Sequence, residues 1–416
     1  MFLKLLAGTG LALALGVSAA AAADVTIRML HVNQTNHPFW QEIAENYNKT
    51  HPGVKVVVEY LENEAYKAKL PTLLQSDERP NIIYSWGGGV MRAQDAAGYV
   101  EDLSAARADL EKNIFPAALD AYSIDGKLVG IPYDFSQVAL FYNKALMDKA
   151  GVDPKSLETW DGFLAGVKKI KAAGITPIVM GAGEKWPMHF YWSYLVMRLG
   201  GADVLKNAEA GKDGGFNNPV FIEAGKKLKE LTDLEPYQEG WLGTLFPAST
   251  GMFGDGKGAI DLMGNWLLGG QKENSASGEG LPMDQIGFVN FPSLPGGKGK
   301  ATDTLGGIGG FLITKGSPPE ALDFMKFFTS PEQQMPAAAK GFYVPAVKGT
   351  DAVITNPLIG AVSRNVANST WHQLFFDQDL GPSVGRVVND MSVAIAAGES
   401  TPEDAATAIQ EAWDQQ

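Results

Sequence analysis

From Val25 onward the chain alternates between two periodicities, and this alternation limits the fold more than any other feature. Val25 to Leu30 reads as a strand, Phe39 to Thr50 as an amphipathic helix, and Val54 to Tyr60 as a β-branched strand. Ala65 to Ser76 returns to helical spacing and Ile82 to Ser85 forms another short strand. Strand–helix–strand order predicts an α/β sheet with crossover helices. In open α/β sheets ligands sit beyond the carboxyl ends of the strands. Those ends fall here at His31 to His37, Leu61 to Glu64 and Trp86 to Gly89.

The 416 residues suffice for two or three domains of ordinary size. With 45% hydrophobic and 19% charged residues, the composition is that of a globular chain with ample material for a core. After the N-terminus no apolar run reaches the length of about 18 residues that a membrane-spanning helix needs. The N-terminus itself has Lys4, an apolar run from Leu5 to Val17, and Ala21-Ala22-Ala23 before Asp24. That order predicts a secretory signal peptide over residues 1–23 rather than a short core helix. The formal net charge is −13, and removing residues 1–23 takes away only Lys4. So acidic a chain repels nucleic acid and anionic lipid, which makes a polyanionic partner unfavourable. There are no cysteines, so disulfides, zinc–thiolate sites and a lipid-anchoring cysteine are impossible. An untethered secreted protein suits an enclosed periplasm.

Farther along, Thr159 reads as a helix N-cap, with Asp161 in the first turn, Phe163, Val167 and Ile170 on one face and Gly174 as the stop. Pro177 to Gly181 reads as a strand, Asn218 to Leu231 as a helix with Pro219 near its first position, and Ala259 to Met263, Ile286 to Val289 and Gly310 to Ile313 as strands. From Pro319 the pattern is mainly helical, with Thr401 capping the last helix. Gly278 to Pro282 and Pro292 to Gly299 mark surface loops. There is no low-complexity linker, so two lobes would have to be joined by several crossings of the chain. Crossings are expected near Tyr133 to Ala139, Lys298 to Thr304 and Val344.

Motifs for chemistry are weak. Gly381-Pro382-Ser383-Val384-Gly385 has the letters of a nucleophile elbow, which needs a preceding strand and a later histidine. The last histidine, His372, lies upstream, so a helix start is the better reading. His31, His37, His51, His189 and His372 show no metal-ligand spacing, and no metal or cofactor is expected. Gly87-Gly88-Gly89 and Gly306-Gly307-Ile308-Gly309-Gly310 lack the Lys-Ser/Thr of a phosphate loop. Both fit tight turns; close approach of backbone to a ligand is preferred for the first run, which follows a strand end and Trp86. No local motif marks the carboxylate pair of a glycosidase.

A set of ordered blocks is more specific. Gly126-Lys127-Leu128-Val129-Gly130-Ile131-Pro132-Tyr133-Asp134 is followed by Phe141-Tyr142-Asn143-Lys144, Thr159-Trp160-Asp161 and Gly174-Ile175-Thr176-Pro177. Then come Gly254-Asp255-Gly256-Lys257-Gly258-Ala259 with Gly264-Asn265-Trp266, the Ala321 to Gln333 stretch with Phe324, Phe327, Phe328, Ser330 and Pro331, and Gly341-Phe342-Tyr343-Val344-Pro345. In this order the blocks resemble the extracellular solute-binding proteins, family 1, the maltose-binding-protein-like sugar-binding proteins of ABC importers, over roughly residues 24–416. The resemblance implies a two-lobed periplasmic-binding-protein fold of α/β class with an interlobe cleft and hinge. Lobe 1 would comprise 24–134 with part of 300–345 returning to it, lobe 2 would comprise 135–299, and the helical 346–416 would pack mainly on lobe 2.

Nine tryptophans are present, and Trp86, Trp186, Trp241, Trp266 and Trp371 have glycine or polar neighbours unusual for core residues. An aromatic ring covers the C–H face of a sugar, and polar side chains satisfy its rim of hydroxyls. In the family the Gly-x-Trp block lines the cleft, which implicates Trp266 as a stacking platform with Asn265 beside it. The resemblance also points to Trp371 as a late aromatic of the second lobe, to Asp134 where the chain crosses the hinge, to Tyr343 after the Gly341 landmark and to Asp377 in a loop after Phe375 and Phe376. Predicted strand ends add Gln34, Asn36, Asn63, Trp86 and Gly88. Trp40 and Trp160, inside helical patterns, read as structural.

These features together predict a periplasmic binding protein that captures a sugar, preferably a di- or oligosaccharide, by hinge closure, and that is not an enzyme. Its partners would be the sugar and the two membrane subunits of an ABC permease with an ATPase beyond them, with a chemoreceptor as a further candidate; a monomer is expected. The alternatives are a same-fold binding protein for a polyol or other non-sugar solute, for which Arg364 and Arg386 would be the anionic-ligand candidates, and a secreted glycan-active enzyme.

Overall fold

The computed structural model describes residues 25–416; the expected signal peptide lies outside them. Val25–His31 pairs in parallel with Val54–Tyr60 on one side and Ile82–Ser85 on the other. The helices His37–Thr50 and Asn63–Leu74 are the crossovers. The chain therefore builds the α/β start that its alternating pattern predicts. The Asn63–Leu74 helix starts where Glu62 accepts the amides of Glu64 and Ala65, which satisfies donors that have no partner within the helix.

Ile82–Ser85 then pairs antiparallel with Thr304–Ile313, which pairs antiparallel with Ile131–Gln137. Ile131–Asn143 continues past this sheet, and its second half, from Val138, pairs with Ile260–Gly264 and Ile286–Val289. One strand thus belongs to two sheet regions, and the core divides along it. Tyr133 packs in a first core with Ile27, Trp40 and Phe311, whereas Val138 packs in a second with Trp160, Leu195 and Leu262. Thr304–Ile313 crosses in the opposite sense, with Leu305 in the second core and Phe311 in the first. A third passage runs from Val347 in the first core to Ile359 in the second. The result is a two-lobed α/β protein joined by three segments.

The punctuation residues act as their chemistry requires. Thr159 accepts the amide of Gly162 at the start of Trp160–Ala172, and Gly174 turns the chain beyond it at φ +72°. Asn218 and Thr401 cap Pro219–Thr232 and Pro402–Asp414 in the same way. Gly381 opens the helix Gly381–Ala397, directly after the helical turn Phe376–Asp379, so the nucleophile-elbow letters sit at a helix start. The expected strand at Pro177 to Gly181 does not form. Ile178 makes only isolated bridges to Tyr237 and Ile260. The side chain of Gln238 takes the place of a strand neighbour: its Oε1 accepts the Met180 amide at 2.9 Å and its Nε2 donates to the Met180 carbonyl at 2.6 Å.

Candidate functional site

Between the two cores lies a cleft of about 1260 Å³, its mouth included. The first lobe presents the residues that follow its parallel strands: Asn33 and Gln34, Glu62 and Asn63, and Trp86. The second lobe presents Trp186, His189 and Phe190 from the start of helix Trp186–Gly200, Asn265 and Trp266 from the end of strand Ile260–Gly264, and Phe375 and Asp377. The floor is made by the crossing strands, with Asp134 and Ser136 from one and Gly307 to Gly309 from the other.

The floor is shaped by a break in register. Pro132 faces Gly310 and Asp134 faces Gly309, so Tyr133 is the extra residue of a bulge. A bulge redirects neighbouring side chains. Here Tyr133 enters the first core against Tyr343 and Phe311, and Asp134 reaches the cleft. Asp134 Oδ1 accepts the Gly309 amide at 3.0 Å, and burial raises its carboxyl to about 7 against that hydrogen bond. A side chain at Gly309 would overlap Asp134 Oδ1, and one at Gly307 would meet Phe375 at 2.6 Å. The second glycine run is therefore a strand, not a turn, and it is this run that brings bare backbone to the cleft.

The walls are aromatic on both sides. Trp86 stands edge-on to Tyr84 at 5.0 Å, with Lys67 Nζ 5.5 Å above its ring. Trp266 is held among Phe375 at 5.9 Å, Phe190 at 6.4 Å and Trp186 at 6.5 Å. It lies across Gly264, where a Cβ would overlap its ring. Two buried ring nitrogens on this wall have no partner among the described residues: the donor Trp186 Nε1, and His189 Nε2, an acceptor in the neutral ring, 3.6 Å from Asp377 Oδ1. His189 Nδ1 is already engaged with the Trp186 carbonyl at 2.6 Å, and burial lowers its basicity although Asp377 opposes this. At the mouth, Thr35 of the first lobe donates to Glu273 of the second at 2.7 Å. Glu184, near Glu62 and Glu64 of the first lobe, has its carboxyl raised to about 7, chiefly by burial, against the Phe246 amide that it accepts. Among the described residues no arginine lines the cleft.

Of the residues singled out from the sequence, Gln34, Asn63, Trp86, Asp134, Trp186, Asn265, Trp266, Tyr343 and Asp377 all line this one cleft. Four do not. Asn36 is buried, and its backbone carbonyl starts the helix His37–Thr50 by accepting the Trp40 amide. Gly88 sits between lobes, where a Cβ would lie 2.8 Å from the Asp379 Cα. The close approach in the first glycine run is thus to protein backbone. Trp241 packs at a tilt against Tyr237, ring centres 4.9 Å apart, and does not line the cleft. The Trp371 carbonyl accepts the Thr304 amide and the Ser369 hydroxyl, and its ring packs on the second core. Trp40 and Trp160 are fully buried in the two cores. The sequence reading missed Tyr60, Tyr84 and Lys67 on one side and His189, Phe190 and Phe246 on the other. The pairing of His31 with His37 at 2.9 Å was also unforeseen. The Trp-Pro start of helix Trp186–Gly200 was the one local signal for His189 and Phe190, because every residue from Trp186 to Arg198 is buried and nothing in the pattern marks an open face.

The model of the bacterial extracellular solute-binding protein family matches residues 33–335. An uncharacterised ABC transporter extracellular-binding protein of Pyrococcus horikoshii is 22% identical over 360 residues, 82% of this chain and 79% of its own length. A protein of Mesorhizobium japonicum named as a probable sugar-binding periplasmic protein is 30% identical over 290 residues, 65% of each chain. A solved structure from work on xylan utilization by the thermophilic bacterium Caldanaerobius polysaccharolyticus superposes with a TM-score of 0.86 at 26% identity, covering 93% of this chain and 99% of that one.

Proposed function

Because the chain belongs to the bacterial extracellular solute-binding proteins, we propose that it is the periplasmic carbohydrate-binding component of an ABC importer. The observation that carries this reading is the pairing of walls in the cleft. Aromatic faces stand on both lobes, and between them are carboxylates, amides, an unpartnered buried donor, Trp186 Nε1, and an unpartnered buried acceptor, His189 Nε2. A sugar ring offers complementary surfaces, with apolar C–H faces for Trp266 and Trp86 and hydroxyls that both donate and accept. The absence of arginine and the presence of Glu62, Asp134, Glu273 and Asp377 in the lining argue against an anionic solute.

The mechanism follows from the three connecting segments. The lobes pivot about Asp134–Val138 and its neighbouring strand and close on the ligand, as hinged binding proteins do. Closure removes water from the hydroxyls and pairs each with a side chain. A sugar lacking one hydroxyl then leaves a buried group unpaired, at about 1–3 kcal/mol. The closed monomer presents both lobes to the two membrane subunits of a permease driven by an ATPase, and the chemistry of the ligand is unchanged. A di- or oligosaccharide uses both aromatic walls better than a single ring does.

A thermal-shift screen of the chain from Asp24 onward against mono-, di- and trisaccharides, polyols and anionic solutes tests this. At 100 times its dissociation constant a ligand adds about 2.7 kcal/mol to stability. A shift with a carbohydrate, with no product after overnight incubation, is expected. Shifts with anionic solutes alone, or turnover of a glycan, would refute the reading.

A further inference from the structure

A second chamber opens beside the cleft, and its walls are partly the same residues. Helices Asn63–Leu74 and Gly88–Ala96 of the first lobe form one side of it, and Gly381–Ala397 of the second lobe forms the other. It holds about 2180 Å³, its mouth included. Trp86, Lys67, Asp377 and Gln378 border both spaces, so the two adjoin at the tryptophan.

Its charged groups are mostly carboxylates. Gln94 Oε1 and Asn389 Oδ1 are buried and have no hydrogen-bond partner. Asn389 Nδ2 is committed to Asp377 Oδ2 at 3.2 Å, so its free oxygen is what the side chain can still offer. Carboxylates at Glu64, Glu184 and Asp390 add further acceptors. Of the three cations there, Lys67 pairs with Glu64 at 2.9 Å and Lys185 with Asp390 at 2.6 Å, and Arg386 is exposed; they stand against carboxylates at Glu62, Glu64, Glu184, Asp377 and Asp390. Such a space suits a neutral molecule rich in hydroxyl donors, and buried acceptors left without donors carry a cost that such a molecule relieves.

Resting on the carbohydrate reading above, we propose that the side chamber receives the continuation of a neutral oligosaccharide whose first rings are enclosed in the cleft, so that the protein takes the end of a chain longer than the cleft alone can hold. Trp86 stands at the turn between the two spaces, and Gln94 and Asn389 accept hydroxyl protons of the outer rings.

Calorimetry with xylo-, malto- and chito-oligosaccharides of one to six units tests this, using the wild type, Gln94→Ala and Ala93→Trp. Of the two spaces, the exposed Ala93 lines the side chamber alone, so an indole there obstructs that space and leaves the cleft untouched. In the series that binds, affinity is expected to rise at least tenfold beyond the shortest member bound. Ala93→Trp should abolish that gain while binding the shortest member within twofold of wild type, which also certifies its fold. Gln94→Ala should reduce the gain several-fold. Short members that bind with no gain on lengthening, or a gain that survives Ala93→Trp, would overturn the chamber while leaving the carbohydrate reading intact. No binding in any series would overturn both.

Discussion

Gly264→Ala is a sharp test of the aromatic wall, because it alters the position of a ring without deleting any group that touches ligand. Gly264 ends the strand Ile260–Gly264 and pairs with Val138. Its backbone is not in the left-handed region, so alanine is tolerated locally. The added methyl would overlap the six-membered ring of Trp266. Carbon atoms settle about 3.5–4.0 Å apart, so the indole must retreat by an ångström or more. Phe190, Phe375 and Trp186 already surround it, so the displacement goes into the cleft. Overpacking of this kind costs about 1–3 kcal/mol of stability. If the moved ring loses about 60–80 Å² of contact with a sugar face, at about 25 cal/mol per Å² the loss is roughly 1.5–2 kcal/mol, or about 10- to 30-fold in affinity. Calorimetry with the ligand from the thermal-shift screen measures the second effect, and urea unfolding measures the first. Trp266→Ala supplies the control: once the indole is gone, the methyl should have no further effect on affinity. A folded Gly264→Ala that binds as wild type, or one whose loss persists undiminished in the Trp266→Ala background, would refute the placement of Trp266 as a platform.

Asp134 should make stability depend on pH. Burial raises its folded carboxyl from the ordinary 3.8 to about 7, so between those values the folded state holds more protons than the unfolded one and stability falls as pH rises, by at most about 4 kcal/mol in all. Asp134→Asn, which keeps an acceptor for the Gly309 amide, should make a urea-midpoint profile less steep between pH 4 and 7.5, the remaining slope coming from Glu184 and Asp261, which burial raises to about 7 and about 8; an unchanged profile would show the cost to be elsewhere. Gly89→Ala should hinder lobe closure, since a Cβ there would lie 2.9 Å from the Gly381 Cα across the lobe boundary. A tenfold or greater loss of affinity with a larger scattering radius in the liganded state is expected, and wild-type values for both would dismiss the contact as a closing surface. Arg198→Met should do the reverse. Arg198 is fully buried and donates to the carbonyls of Phe291, Pro292, Ala301 and Asp303 at 3.0–3.4 Å, so its loss should cost about 3–5 kcal/mol in urea unfolding and leave ligand affinity within twofold.

What could be read from the sequence was what is local. The alternating strands and helices to Ser85, the caps at Thr159, Asn218 and Thr401, and the strand Ile286–Val289 are set by neighbours a few residues away, and they form where the pattern puts them. Pro177 to Gly181 failed because Gln238, nearly sixty residues on, supplies hydrogen bonds that a neighbouring strand would otherwise make. The site divides in the same way. Gln34, Asn63 and Trp86 follow predicted strands and line the cleft, as the rule for open sheets leads one to expect. Trp241 and Trp371 have the same kind of neighbours as Trp266, yet Tyr237 and the Thr304 strand claim them. Gly88 was read as a close approach of backbone to ligand, and the close approach seen is to protein backbone. Its partner, Asp379, is almost three hundred residues away, and spacing along a single chain carries no record of it.

The arrangement also separates two tasks within one cleft. Asp134, Ser136 and Gly307 to Gly309 belong to the strands that pass between the lobes, so they lie near any axis about which the lobes turn. Groups near a pivot hardly move. Trp266 and Trp186 on one lobe and Trp86 on the other are farther out and change separation when the lobes turn. A ligand entering an open cleft therefore meets a floor that is already formed, and only afterwards the walls. The floor contributes polar groups fixed by the bulge at Tyr133 and by glycines that admit no side chain, while the walls contribute apolar area that becomes dry only on closure. Since apolar burial scales with the area removed from water, a floor contact has its value in both states and a wall contact only in the closed one. The ligand's own preference for the closed form then comes chiefly from the aromatic walls, beside the direct lobe contacts of Thr35 with Glu273 and of Gly88 and Gly89 with the Asp379–Gly381 turn, and recognition of the first hydroxyls from the strand-borne floor.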